Sequence, residues 1–149
     1  MKRQKGFTLI ELITVIMIIM ALAGLLLTGV HKARQRALIS TTQTAIATIE
    51  TAISMYETDY GDYPPSGNAN MVTALTTDPS DSAWRGPYML FDEEDLSGGA
   101  FLDPWGNSYS YTNNTTGSPG HNGANYVDIY STGPNGSGDG TEDDDINNW

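Results

Sequence analysis

The hydrophobic pattern changes its period along the chain. Residues 7–30, FTLIELITVIMIIMALAGLLLTGV, are apolar on every helical face, and Glu11 is the one charge among them. About 20 apolar residues suffice to span a bilayer as a helix, so this run predicts a membrane-spanning or bundle-core helix. Beyond Val30 the apolar positions thin to steps of three and four: Leu38/Ile39, Thr42, Ala45/Ile46, Ile49, Ala52/Ile53, Tyr56 and Tyr60. That is one face of an amphipathic helix. No proline or glycine interrupts residues 30–60. The two patterns therefore predict one continuous helix from about Phe7 to about Asp59, on the order of 80 Å long at ~1.5 Å per residue. Gly61-Asp62-Tyr63-Pro64-Pro65 stops it, because proline lacks the amide hydrogen and forces its predecessor out of helical geometry.

The rest of the chain reads differently. Met71–Leu75 has the pattern of a short helical turn, and Thr76–Ser82 that of a loop. Gly86-Pro87 marks a turn between Trp84 and Tyr88, both read as packing residues. Asp92-Glu93-Glu94-Asp95 reads as a solvated surface run. Asp103-Pro104-Trp105-Gly106-Asn107 is turn chemistry. Ser108–Thr112 alternates, which places Tyr109 and Tyr111 on one face. After a polar loop at Asn113–Asn122, Tyr126–Ser131 is the strongest strand, rich in aromatic and β-branched residues. The two strands predict an antiparallel hairpin lying across the long helix, with Trp105 and Trp149 as packing anchors.

Charge sharpens the division. Of the 149 residues, 7 are Lys or Arg and 18 are Asp or Glu. Residues 1–36 hold six of the basic residues and a single acid, a net of +5; residues 37–149 hold 17 acids and only Arg85, a net of −16. An acidic body repels phosphate backbones, which argues against nucleic-acid binding. The absence of cysteine excludes disulfides, thiol nucleophiles and zinc–thiolate sites. The two histidines, His31 and His121, are too far apart in sequence for a helical zinc pair. No nucleophile–base pair is evident, so no enzymatic activity is expected. Lys2, Arg3 and Lys5 ahead of the apolar run favour an inside N-terminus and an outside body.

Glu11 is the sharpest single residue. An acid in the apolar part of a membrane helix costs about 2.5–3.5 kcal/mol at mid-bilayer and less near the edge, so it calls for a partner. An α-amino group created by cutting after Gly6 would lie four residues away in sequence, and a neighbouring subunit's amine could also serve. A cleaved secretory signal is the competing reading, supported by Ala21-Leu22-Ala23. Against it stand Glu11 inside the apolar run and the run's continuation to Val30.

Gly6-Phe7-Thr8-Leu9-Ile10-Glu11-Leu12, after a short basic leader, resembles the class III signal of type IV pilins and pseudopilins. The resemblance implies cleavage between Gly6 and Phe7 by the prepilin peptidase and N-methylation of Phe7. It also implies that Glu11 pairs with the Phe7 amine of a neighbour during assembly. Where many members of that family carry a proline, this chain has Thr28.

The C-terminal stretch 131–149, STGPNGSGDGTEDDDINNW, interleaves carboxylates and amides with glycines, as a hard-cation loop requires. Asn135-x-Ser137-x-Asp139-Gly140 is similar to the first half of an EF-hand loop, but its twelfth position is Ile146. A non-EF calcium loop closed by Asp143 and Asp145 is the better expectation. Tyr63-Pro64, Gly86-Pro87-Tyr88, Asp103-Pro104-Trp105-Gly106-Asn107-x-Tyr109 and the ending Ser131-x-Gly133-x-x-Gly136…Asp145-Ile146-x-Asn148-Trp149 resemble the major pseudopilins of type II secretion systems. That resemblance implies an α+β, type IV pilin-like fold: one long N-terminal helix packed against a small antiparallel sheet with a C-terminal Ca²⁺ loop. It further implies ligands at the Thr132 carbonyl, Asn135, and carboxylates among Asp143, Asp144 and Asp145. Asp139 is added from spacing alone, and Asn135 stands where the family usually has aspartate.

The organisation expected on these grounds is a cleaved leader at 1–6, an apolar half-helix at 7–30, an amphipathic half-helix at 31–60 and a periplasmic region at 61–149. The implied role is a subunit of the periplasmic pseudopilus that drives protein export. Its implied partners are further copies of itself in a helical homopolymer, minor pseudopilins, the inner-membrane assembly platform and the prepilin peptidase, with the inner membrane holding it before assembly. A surface type IV pilin and a membrane-anchored calcium-dependent binding module are the alternatives.

Overall fold

A computed structural model describes residues 6–114, 121–122 and 126–149, with the side chains of residues 25–29 excepted. Residues 1–5 of the expected leader and most of the expected polar loop therefore lie outside the described residues. The fold is α+β. The helix α1 (Leu9–Tyr60) runs without interruption for 52 residues, as the absence of proline predicts. Compact packing divides the chain into two units, one up to Ala37 and the other Leu38–Trp149.

The second unit holds the core. On α1 the stripe read from sequence is the buried face: Thr42, Ile46, Ile49, Ala52 and Ile53 are each at most 3% exposed. Buried Thr42 satisfies its hydroxyl on the Leu38 carbonyl at 3.0 Å, one turn back. The helix ends where Gly61 adopts a positive φ and donates to the Glu57 carbonyl at 2.7 Å. Helix α2 (Asn68–Thr76) is longer than the turn expected at Met71–Leu75. Met71, Val72 and Leu75 bury its inner face, and Asn70 and Thr73 lie on its other side.

Among the described residues two sheets complete the unit. Strands β1 (Leu96–Ser97) and β2 (Ala100–Phe101) form a hairpin that the sequence reading passed over. Its two-residue turn is Gly98-Gly99, both at positive φ, as a tight hairpin of this hand requires. Strands β3 (Ser110–Asn113), β4 (Val127–Ser131) and β5 (Ile146–Asn147) form an antiparallel sheet in the order β3-β4-β5. The expected hairpin is the β3–β4 pair, in register Tyr111 to Ile129. The third strand adds the chain's ending to the sheet, with Ser131 opposite Ile146.

Tyr109 and Tyr111 share a buried face, as alternation predicts. Burial raises the pKa of both hydroxyls, that of Tyr109 to about 12. Trp105 packs against the core while partly buried. Trp149 keeps 38% exposure and is not a core anchor; its ring stacks on His121 at 4.3 Å and meets Tyr130 edge-on. Asn148 is the residue that ties the ending down. Its side chain accepts from Ile129 N at 3.0 Å and donates to Glu50 of α1 at 2.8 Å and to the Val127 carbonyl at 3.0 Å.

Candidate functional site

At the N-terminal site, Thr8 caps α1. Its amide and hydroxyl donate to Glu11 Oε2 at 2.8 and 2.6 Å, and its hydroxyl oxygen accepts from Glu11 N at 3.4 Å. This reciprocal arrangement is a capping box, in which residue and backbone satisfy each other's first-turn groups. Thr-x-x-Glu is its sequence signature, and Thr8 and Glu11 supply it. Glu11 thus has an intrachain role before any partner arrives. Gly6 and Phe7 precede the helix; Phe7 is 81% exposed, and a side chain on Gly6 would meet nothing within 4 Å.

Every described side chain from Leu9 to Gly24 is exposed in the single chain. Large residues on all faces are included, from Leu9 at 77% and Ile10 at 70% to Met17 at 64% and Ile18 at 60%. An apolar surface of that extent marks a face that lipid or protein covers. Among the described residues no helix is long and apolar enough to cross a membrane. The side chains of residues 25–29, inside the apolar run, are outside the described ones and so outside that statement.

The C-terminal loop starts where β4 ends. A 3-10 turn at Gly133–Asn135 follows Thr132, and β5 closes the loop. Gly133 sits directly against the Asp144 carbonyl, so no Cβ fits there, and its φ is +63°. The turn also brings Asn135 to Asp144: the Asn135 amide nitrogen donates to Asp144 Oδ1 at 2.9 Å and to Glu142 Oε2 at 3.3 Å. Asp145 Oδ2 accepts from Gly140 N and Glu142 N at 2.9 and 3.0 Å. Its Oδ1 is buried and accepts nothing among the described residues. That oxygen faces Gly138, where a Cβ would lie 2.6 Å away.

The six expected ligands are therefore unevenly gathered. Thr132, Asn135, Asp144 and Asp145 line the two sides of one loop. Asp143 is exposed beside them. Asp139 turns instead onto Thr141, accepting from its amide and hydroxyl, and the hydroxyl bond is the main reason its pKa is lowered. Among the described residues no three histidine or carboxylate side chains converge as a metal site. The donor set nonetheless suits a hard cation. The orphaned oxygen of Asp145, the Asp144 carboxylate and the Asn135 oxygen, which accepts from Ser137 N at 2.6 Å, would leave the remaining ligands to backbone carbonyls, as calcium accepts.

Comparison with known proteins follows the same two parts. Residues 29–149 match the family described as type II secretion system, protein G, and residues 1–27 match the prokaryotic N-terminal methylation motif. The type II secretion system core protein G of Escherichia coli K12 is 35% identical over 149 residues, covering 99% of this chain and 92% of that protein. The protein of the same description from Pseudomonas aeruginosa is 32% identical over 151 residues, covering 99% of this chain and 96% of its relative. The crystal structure of the major pseudopilin from enterohaemorrhagic E. coli superposes with a TM-score of 0.54 at 25% identity, over 79% of this chain and 87% of that one.

Proposed function

The chain belongs to the type II secretion system protein G family, and from that premise we propose that it is a structural subunit that polymerises into the periplasmic pseudopilus driving protein export through the type II secretion system. The observation that carries this is the first half of α1. It is apolar on all its described faces, it is exposed in the single chain, and its one acid stands at the helix start. Such a helix is covered by lipid before assembly and by copies of itself afterwards. Residues 7–30 anchor the chain once in the inner membrane, and residues 61–149 lie in the periplasm. Prepilin peptidase removes residues 1–6 at the Gly6–Phe7 bond, and Phe7 is methylated.

Glu11 then pairs with the Phe7 amine of the adjacent copy. The carboxylate has two oxygens, and Thr8 occupies only Oε2, so Oε1 is available to the incoming amine. The mechanism is register-setting and not chemical conversion: the ion pair forms only when two helices are offset by the correct rise. In the loop, Ca²⁺ is held by the Thr132 carbonyl, Asn135, Asp144 and Asp145, with Asp143 and Asp139 within the same segment. The cation supplies charge that the body lacks. Minor pseudopilins and the inner-membrane platform are the remaining partners.

The test is export of a secreted enzyme in cells lacking this gene and complemented with variants. Glu11→Ala chain should reach the membrane and be cleaved, yet export should fall at least tenfold. Wild-type export with Glu11→Ala would sink the proposal.

A further inference from the structure

Asp103 is a carboxylate only 5% exposed, and among the described residues no basic side chain pairs with it. It sits in the turn before β3, remote in sequence from the calcium loop. Its Oδ1 accepts from the amides of Trp105 at 3.0 Å and Asn107 at 2.9 Å, which folds its own turn. Its Oδ2 does something else. It accepts the hydroxyl of fully buried Ser131 at 2.6 Å, and Ser131 Oγ in turn accepts from Gly133 N at 3.0 Å. From the same turn, Asn107 Nδ2 donates to the Gly133 carbonyl at 2.9 Å.

Both polar groups of Gly133 are thus fixed from one place, the N–H through Ser131 and the carbonyl through Asn107. Asn107 also underlies Gly136, where a Cβ would sit 2.9 Å from its Oδ1. Gly133 and Gly136 bracket the turn that carries Asn135 and follows Thr132, and Gly133 abuts Asp144. We propose that Asp103, Asn107 and Ser131 are positioning residues for calcium. They touch no ion; they set the distance between the Thr132–Asn135 side of the loop and the Asp144–Asp145 side. The inference rests on the calcium reading given above.

A hydrogen-bonded chain of this kind has a direction. A carboxylate only accepts, so Ser131 gives its hydroxyl hydrogen to Asp103 while its oxygen accepts from Gly133. Asp103→Asn removes that acceptor, and so leaves the Ser131 hydroxyl hydrogen buried without its partner while the side-chain shape is kept. Partners of metal ligands typically alter affinity 10–100-fold when removed.

The experiment measures Ca²⁺ affinity of the full-length chain in detergent micelles by calorimetry, with Tb³⁺ luminescence as a second readout. Asp103→Asn, Ser131→Ala and Asn107→Ala should each raise the Ca²⁺ Kd about tenfold or more, and each should lose part of the rise in melting temperature that saturating Ca²⁺ gives. Ile49→Val, a core change far from the loop in sequence, should lower the melting temperature with and without Ca²⁺ alike and leave Kd unchanged. If the three variants behave like Ile49→Val, the positioning role is overturned while the calcium reading stands. If the wild-type chain binds neither Ca²⁺ nor Tb³⁺, the calcium reading is overturned, and this inference with it. Should Ser131→Ala not fold, Asn107→Ala decides, because Asn107 is only half-buried and its backbone amide still caps the turn.

Discussion

At the residue scale, Glu11 shows how one side chain serves two functions that can be separated. Its capping box with Thr8 needs an acceptor oxygen, which glutamine also supplies. Its pairing with a neighbour's amine needs charge, which glutamine lacks. Glu11→Gln should therefore keep the helix start ordered and still lose assembly as fully as Glu11→Ala. Normal assembly with glutamine would assign the residue to capping alone. Tyr109 offers a second residue-scale test. Burial lifts its folded pKa from about 10 to about 12. Below pH 10 the hydroxyl is neutral in both states and stability is unaffected. As pH rises from about 10 to about 12 the unfolded chain ionises first, so stability falls through that window. Urea unfolding at pH 9, 10 and 11 should show the decline, and Tyr109→Phe should make it shallower, with Tyr111, whose hydroxyl pKa burial also raises, supplying the remainder. Glu11 and the two tyrosines were legible in the sequence because charge and alternation are local signals. The roles of Ser131 and Asn148 were not, since each depends on partners that only the folded sheet brings near.

At the scale of elements, α1 follows from its sequence along its whole length. Its stripe fixes which face is buried, and Ile49, fully buried, stands at the centre of that face. Ile49→Ala should cost about 2–5 kcal/mol through lost burial and the cavity left behind, read as a lower denaturation midpoint with the slope unchanged. The strands were legible to different degrees. β3 and β4 carry enough aromatic and β-branched residues to declare themselves. The β1–β2 hairpin has two residues a side, too few for a period, although Gly98-Gly99 was a usable turn signal. β5 was hidden because Ile146 and Asn147 sit in a run whose acids and glycines read as loop. It becomes a strand through pairing with β4 and through the Asn148 bonds to β4 and Glu50. Of the loop, Asn135 meets Asp144 through a hydrogen bond, whereas Asp139, chosen from spacing, turns onto Thr141.

At the scale of the whole molecule, the charge division acquires a purpose. Copies carrying a body of −16 repel one another, and five of those acids lie between Asp139 and Asp145. A bound Ca²⁺ would offset two charges in one of the two four-acid runs and join β4 to β5 through the loop. Binding to the folded state alone adds RT ln(1+[L]/Kd), about 2.7 kcal/mol at a hundredfold excess over Kd. The melting temperature of the full chain in detergent should therefore rise with calcium and fall with chelator; identical midpoints would refute the site. The account's central claim is that copies of this chain assemble through α1 into a filament. The most direct measurement is electron microscopy and mass spectrometry of filaments sheared from cells that express the chain with its secretion apparatus. The account predicts filaments built mainly of this chain, each copy beginning at Phe7, and none from cells carrying Glu11→Gln. Cleaved chain recovered only as monomer from cells that export normally would contradict it.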